Sequence, residues 1–143
     1  MEKELEQVFI SAKLRLTEPR RRVFKAFINT TKPLTITEVI ERCPQVDRVS
    51  VYRTVDLFRK LRVIDTVMVG WKQYYELAAP FTEHHHHIYC RDCGMVKEIH
   101  SKELEAIVQD IAEKHGFASV EHGFEITGQC EDCKNSHYNT TQN

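Results

Sequence analysis

The chain has 143 residues, with 20 Lys+Arg against 21 Asp+Glu and five cysteines. That length allows one domain or two small ones, and no run of 18 apolar residues exists to form a membrane-spanning helix. The net charge of −1 hides a split: residues 1–79 hold 15 Lys+Arg and 10 Asp+Glu, whereas residues 80–143 hold 5 and 11. The halves are therefore +5 and −6. A basic half suits a phosphate-bearing partner and an acidic half suits metal cations. The start, Met1-Glu2-Lys3-Glu4-Leu5-Glu6, is charged and lacks the apolar stretch of a signal peptide, so a cytoplasmic location is expected. Thiols stay reduced there, which favours metal binding over disulfides.

Residues 4–14 carry Leu5, Val8, Phe9 and Ala12 at helical spacing and predict a first helix. Thr17 and Pro19 suit the start of a second, which runs to about Asn29 with Val23, Phe24 and Phe27 inward. Thr35-x-x-Glu38 reads as a capping box for a third helix, which Pro44 ends. Asp47 can cap a fourth, with Val51, Val55, Phe58 and Leu61 on its apolar stripe. Its other face shows Arg48, Tyr52, Arg53 and Arg59. Val63 to Val69 and Gln73 to Leu77 then read as a β-hairpin around Gly70. Helices followed by a basic helix and a hairpin describe a winged helix-turn-helix over residues 1–79. Residues 80–83 read as a hinge.

The second half, 84–143, predicts strands at 88–90 and 95–99 and a helix capped by Ser101. Leu104, Ile107, Val108 and Ile111 form that helix's inward face, and Gly116 closes it at C′. A third strand is expected over about 118–127, with Val120, Phe124 and Ile126 sharing a face with His122. The last ten residues, from about 134, are polar and expected to be disordered. The fold class is α+β: a winged helix-turn-helix followed by a small α/β domain with a three-stranded sheet.

Cys90-x-x-Cys93 and Cys130-x-x-Cys133 are the strongest chemical signal. Two such pairs around a strand-helix-strand block point to a four-thiolate zinc site. Cys43 is left over and reads as a small core hydrophobe. The run His84-His85-His86-His87 lies just before the first pair. In an extended segment alternate residues face opposite ways. His84 and His86 then serve one site, and His85 and His87 another. His122 and Glu105 are candidates to complete the first. Glu76, Glu98 and Asp65 are candidates for the second. A lone histidine on an apolar strand face is ordinarily a packed core residue, so His122 counts only with its partners. On the basic helix, Arg can bond guanine bidentately and Tyr can contact a thymine methyl or a phosphate. Lys13, Arg15, Arg20, Arg21 and Arg22 could add phosphate or minor-groove contacts.

Several stretches together resemble the ferric uptake regulator (Fur) superfamily of metal-dependent repressors. Leu16-Thr17-Glu18-Pro19-Arg20 is similar to its opening motif, and Ser50-Val51-Tyr52-Arg53-Thr54 to its recognition-helix signature. The His-rich run into Cys90-Arg91-Asp92-Cys93-Gly94, with Gly128-Gln129-Cys130-Glu131-Asp132-Cys133, is similar to its most specific motif. The resemblance implies a homodimer that binds a palindromic double-stranded DNA operator. Structural Zn2+ would sit on Cys90, Cys93, Cys130 and Cys133. A regulatory divalent ion (Zn2+, Fe2+ or Mn2+) would sit on Glu76, His85, His87 and Glu98. A further site would comprise His84, His86, Glu105 and His122. DNA contacts would fall to Arg15, Arg20, Ser50, Tyr52, Arg53 and Thr54.

Four positions depart from the iron-sensing pattern. Pro33 replaces a histidine that the DNA-binding half would offer to the hinge site. Asp65 resembles an acidic ligand of zinc-sensing (Zur) members, and His86 stands where many iron sensors carry Asp; both favour zinc. Arg62 replaces a Gly after the recognition helix, so either the turn differs or a non-Gly adopts a left-handed conformation costing about 1 kcal/mol. The rival readings are a zinc-dependent hydrolase and a metal buffer or chaperone without DNA binding. No His-Glu-x-x-His supports the hydrolase, so no enzyme, small-molecule substrate or membrane partner is expected.

Overall fold

The computed structural model describes residues 1–28, 30, 32–69, 71–118 and 120–140, with the backbone alone for 136–140. The chain forms two compact units, Met1–His84 and His85–Asn143. The first contains α1 (Glu2–Ser11), α2 (Glu18–Ile28), α3 (Ile36–Arg42), α4 (Arg48–Lys60), β1 (Ile64–Val69) and β2 (Lys72–Leu77). The second contains β3 (His86–Cys90), β4 (Val96–Ile99), α5 (Lys102–Lys114), β5 (Glu125–Gly128) and α6 (Glu131–Thr140).

The helices of the first unit close around an aromatic centre. Phe58 of α4 meets Phe9 and Phe24 edge-on, with ring centroids 6.1 and 6.3 Å apart. Phe81 closes against Phe24 at 5.2 Å. Edge-to-face contacts match the positive ring edge to the negative face. Two caps fix where the helices begin. Thr35 and Glu38 form the expected capping box on α3, and Asp47 Oδ1 accepts the Ser50 amide at 2.9 Å on α4. These bonds satisfy amides that the first helical turn leaves open. Leu34 adds a short bridge to the hairpin by exchanging both backbone bonds with Tyr75 at 2.8 Å.

The exit from α4 resolves the question raised by Arg62. This residue has φ +56, and the Arg62 and Val63 amides donate to the carbonyls of Arg59 and Phe58. Those are the two bonds of a Schellman cap. The left-handed turn is kept despite the side chain, and it delivers the chain straight into β1. Lys13 ends α1 in the same way, donating to Ile10 while Leu14 donates to Phe9. α1 therefore spans residues 2–11, earlier than the expected 4–14.

In the second unit β3 is central, antiparallel to β4 and parallel to β5. Tyr89 of β3 is buried at 1% exposure and anchors this smaller core. Gly116 closes α5 at φ +74, with the paired bonds Gly116 to Glu113 and Phe117 to Ala112, as expected.

Three expectations for this unit need correction. The third strand spans only Glu125–Gly128, because pairing with β3 begins at His87↔Glu125. Residues 120–124 precede it as irregular chain. The expected inward face of α5 is largely uncovered: Ile107 and Ile111 are 55% and 53% exposed, and only Ala112 is buried. Phe117, Phe124 and Ile126 are exposed as well. A three-stranded sheet in one copy leaves these apolar side chains in water. The tail expected to be disordered from about 134 is helical to Thr140. Glu131 and Asp132 in its first turn complement the positive end of the helix dipole. Residues 141–143 lie outside the described residues.

Phe58 is fully buried and touches two other rings, so truncation leaves a cavity that three helices must share. Phe58→Ala is expected to destabilise the first unit by about 3–5 kcal/mol. Urea unfolding monitored at the helical far-ultraviolet signal measures this; a loss under about 1 kcal/mol would mean that the aromatic centre does not hold the helices together.

Candidate metal centres and nucleic-acid face

The four paired cysteines converge. Cys90 ends β3, Cys93 follows in the turn, and Cys130 and Cys133 flank the start of α6. Their sulfurs all lie within 4.8 Å of one another. Cys93 and Cys130 are 3.8 Å apart, far beyond a disulfide bond. A tetrahedral zinc with Zn–S bonds of about 2.3 Å has sulfurs about 3.8 Å apart along each edge. The set therefore fits zinc in both donor type and spacing.

The surrounding backbone prepares these thiols unequally. The Cys130 amide donates to Cys90 Sγ at 3.3 Å. That bond, with the Cys93 amide, lowers the Cys90 thiol to about 6. Cys133 is pushed up, first by the neighbouring Cys130 thiol and then by burial. Four sulfurs this close cannot all ionise unaided, and a bound dication supplies the missing positive charge. Gln129 Nε2 donates to Asp92 Oδ2 at 2.7 Å, tying the two Cys-x-x-Cys turns together. Cys43 stands apart, buried at 4% exposure, with its thiol raised by burial.

A second cluster gathers on Glu105 of α5. Its two oxygens meet His86 Nε2 at 2.8 Å and His122 Nε2 at 3.1 Å. The Phe124 amide donates to His86 Nδ1 at 3.4 Å and orients the ring. Within the second unit, the three residues assigned to this set thus come together. His84, the fourth, closes the first unit. His122 is only 19% exposed, and it reaches Glu105 from the irregular segment before β5 rather than from a strand face.

The hinge set is divided between the units. In the first, Asp65 of β1 stands directly opposite Glu76 of β2. Opposed residues of an antiparallel pair share a face, and like charges there repel. Such a pair suits a cation. In the second, His87 is 3% exposed and stands opposite Glu98 of β4. The His85 and His87 rings lie 4.9 Å apart. One neighbour escaped the sequence reading: His100 brings its ring within 5.9 Å of His85. Alternation along β4 from Glu98 was the signal that could have found it.

The basic face of α4 forms as expected. Arg48, Tyr52, Arg53 and Arg59 are exposed, while Val51, Val55 and Phe58 are buried. Among the described residues, the Arg48 and Arg53 side chains form no hydrogen bond or ion pair. Thr54 is a correction: at 4% exposure it belongs to the buried side of α4 and cannot reach a partner's surface. It sits three residues after Val51 and four before Phe58, which places it on their stripe. Ser50 is half-buried, its amide held by Asp47. Arg15 is exposed. The Arg20 guanidinium donates to the Arg15 carbonyl and lies 5.5 Å over the Phe9 ring, so it braces the segment that presents Arg15.

A family model described as the ferric uptake regulator family matches residues 11–127. The chain belongs to this family. It is 30% identical over 127 residues to the ferric uptake regulation protein of Neisseria meningitidis serogroup A, covering 85% of this chain and 87% of that one. It is 35% identical over 98 residues to the zinc uptake regulation protein of Mycobacterium tuberculosis, covering 68% and 74%. Among solved structures, the ferric uptake regulator of Francisella tularensis with iron is similar at a TM-score of 0.70 and 28% identity, covering 85% of this chain and 95% of that one. Ferric uptake regulator family members named for iron and for zinc thus match alike, and the fold class expected from the sequence is that of the family.

Cys133→Ser removes one sulfur from the tetrahedral set. It is expected to lose one zinc per chain and with it the ordered second unit, since structural zinc contributes about 10 kcal/mol or more. Zinc released to a colorimetric chelator and amide dispersion by NMR read the two effects. Dispersed second-unit amides in a zinc-free variant would contradict the assignment.

Proposed function

We propose that this chain is a metal-dependent transcriptional repressor that binds palindromic DNA as a homodimer in the cytoplasm. The observation that carries the reading is the pairing of unlike surfaces on one chain. An exposed Arg48–Tyr52–Arg53–Arg59 face lies on a helix of a winged helix-turn-helix, and two ligand clusters lie beyond the hairpin. A buffer or chaperone has no use for the first, and the family to which the chain belongs supports the combination.

Structural zinc on Cys90, Cys93, Cys130 and Cys133 holds the second unit. The regulatory ion uses His85, His87 and Glu98 with Glu76 and Asp65. His84, His86, Glu105 and His122 form the further set. Zinc is the favoured regulatory ion: Asp65 stands opposite Glu76, Pro33 offers no imidazole, and His86 stands where an iron sensor would carry Asp. Nitrogen and oxygen donors also accept iron or manganese. The ion acts by binding the DNA-competent arrangement more tightly than the other; a differential of about 10⁴-fold moves the equilibrium from 1:99 to 99:1. Arg15, Tyr52 and Arg53 make the DNA contacts, with Arg20 bracing Arg15.

The dimer reading rests on the uncovered apolar side chains of the second unit. Ile107, Ile111, Phe117, Phe124 and Ile126 are all exposed in a single copy. A second copy is the partner that would cover them, as apolar patches of this kind mark interaction sites.

Fluorescence anisotropy with a palindromic promoter fragment tests the function. Binding is expected with zinc and lost on chelation that spares the four-cysteine zinc; binding that survives chelation defeats the sensor reading. Arg53→Ala is expected to weaken binding about tenfold or more and to relax discrimination between bases, as loss of one good base contact costs about 1–3 kcal/mol. Unchanged affinity would remove α4 as the reading helix. Ile111→Glu is expected to yield a monomer in sedimentation equilibrium, and a persistent dimer would place the interface elsewhere.

A further inference from the structure

The β3–β4 pair carries more ligand chemistry than the regulatory set uses. Its antiparallel register is His86↔Ile99 and His87↔Glu98. Opposed residues share a face and hold their Cβ atoms about 4.5–5.5 Å apart. One step beyond the strand ends, the same register sets His100 opposite His85. Side chains two apart on a strand also share a face. His85, His87, Glu98 and His100 therefore form a two-by-two patch on one face, and His86 faces the other way toward Glu105.

We infer that His100 is a ligand of the regulatory ion, and that His85, His87, Glu98 and His100 can hold it within the second unit. The inference deepens, and rests on, the reading that His85 and His87 bind that ion.

The His85 and His87 rings already stand at ligation distance, and His100 stands just beyond it. Two imidazoles on one tetrahedral zinc, with Zn–N bonds of about 2.0–2.1 Å, have ring centroids about 5 Å apart. The His85 and His87 rings are 4.9 Å apart, and those of His85 and His100 are 5.9 Å apart. His100 has a side chain 58% exposed, so a small rotamer adjustment brings it into range. Glu98 Oε2 already lies 4.0 Å from His100 Nε2, at the outer limit of an ion pair. Exposed pairs at such separations contribute little by themselves. An ion between them would draw both inward.

Three imidazoles and one carboxylate make a donor set suited to zinc and to other first-row dications. Capture of the ion then does not depend on the winged-helix unit, whose Glu76 and Asp65 engage the ion already held.

The test uses the full chain, with zinc in the four-cysteine site and cadmium-113 added to the nitrogen and oxygen sites. Heteronuclear NMR correlations from cadmium to imidazole ring protons identify each ligand directly. One cadmium resonance is expected to couple to His85, His87 and His100 together, and Glu76→Gln is expected to retain all three couplings. His100→Ala is expected to lower affinity at that resonance about tenfold, with the His86/His122 resonance unchanged. Coupling to His85 and His87 without His100, together with unchanged affinity in His100→Ala, overturns the inference and leaves the regulatory site intact. Absence of coupling to His85 and His87 overturns the reading on which it rests.

Discussion

The two-residue alternation of β3 is the constraint on which the chemistry of this protein depends. Adjacent histidines on a strand cannot serve one ion, because their side chains leave opposite faces. His86 turns to Glu105 and His122, whereas His87 stands opposite Glu98. One short strand thereby addresses two ligand sets. The same strand ends at Cys90, which receives the Cys130 amide and opens the four-sulfur cluster. A shift of one residue in the pairing of β3 would exchange the faces and separate every ligand from its partners.

The two units solve their folding problems differently. The first buries a continuous core from Leu5 to Phe81, centred on Phe58. Helix caps and Schellman turns fix its boundaries, so α4 presents its arginines from a rigid base. The second is small, and much of its apolar surface stays exposed in one copy. Small domains of this kind depend on metals or on association. Zinc at the sulfurs and the proposed second chain over α5 would be complementary answers to that shortage. Both depend on the protein's surroundings, which is apt for a molecule whose activity is proposed to follow metal supply.

Most of the first unit was legible in the sequence because its signals are local. The Thr35–Glu38 box, the Asp47 cap and the apolar stripe of α4 act within a few residues, and all are present. Thr54 was misplaced because a motif names residues in a row, whereas a helix turns each to a different side. In the second unit, periodicity identified α5 and its apolar face but could not say what would cover it. The third strand was overextended for a similar reason: alternation in 118–127 does not show where a partner strand stops. The helix at 131–140 went unread because its composition is polar throughout.

The donor types, the spacing of both Cys-x-x-Cys pairs and the alternation of the four histidines were determined by the sequence alone, since each follows from residue identity and local backbone geometry. The tertiary structure decided which distant groups meet them. Glu105 is brought to His86 by α5, and the parallel pairing of β5 with β3 brings His122 to His86 and Cys130 and Cys133 to Cys90 and Cys93. His100 is brought beside His85 by the register of β4. These are contacts between residues far apart in sequence, or across a turn of unknown pairing. No local pattern encodes them, because register is set by the packing of the whole sheet.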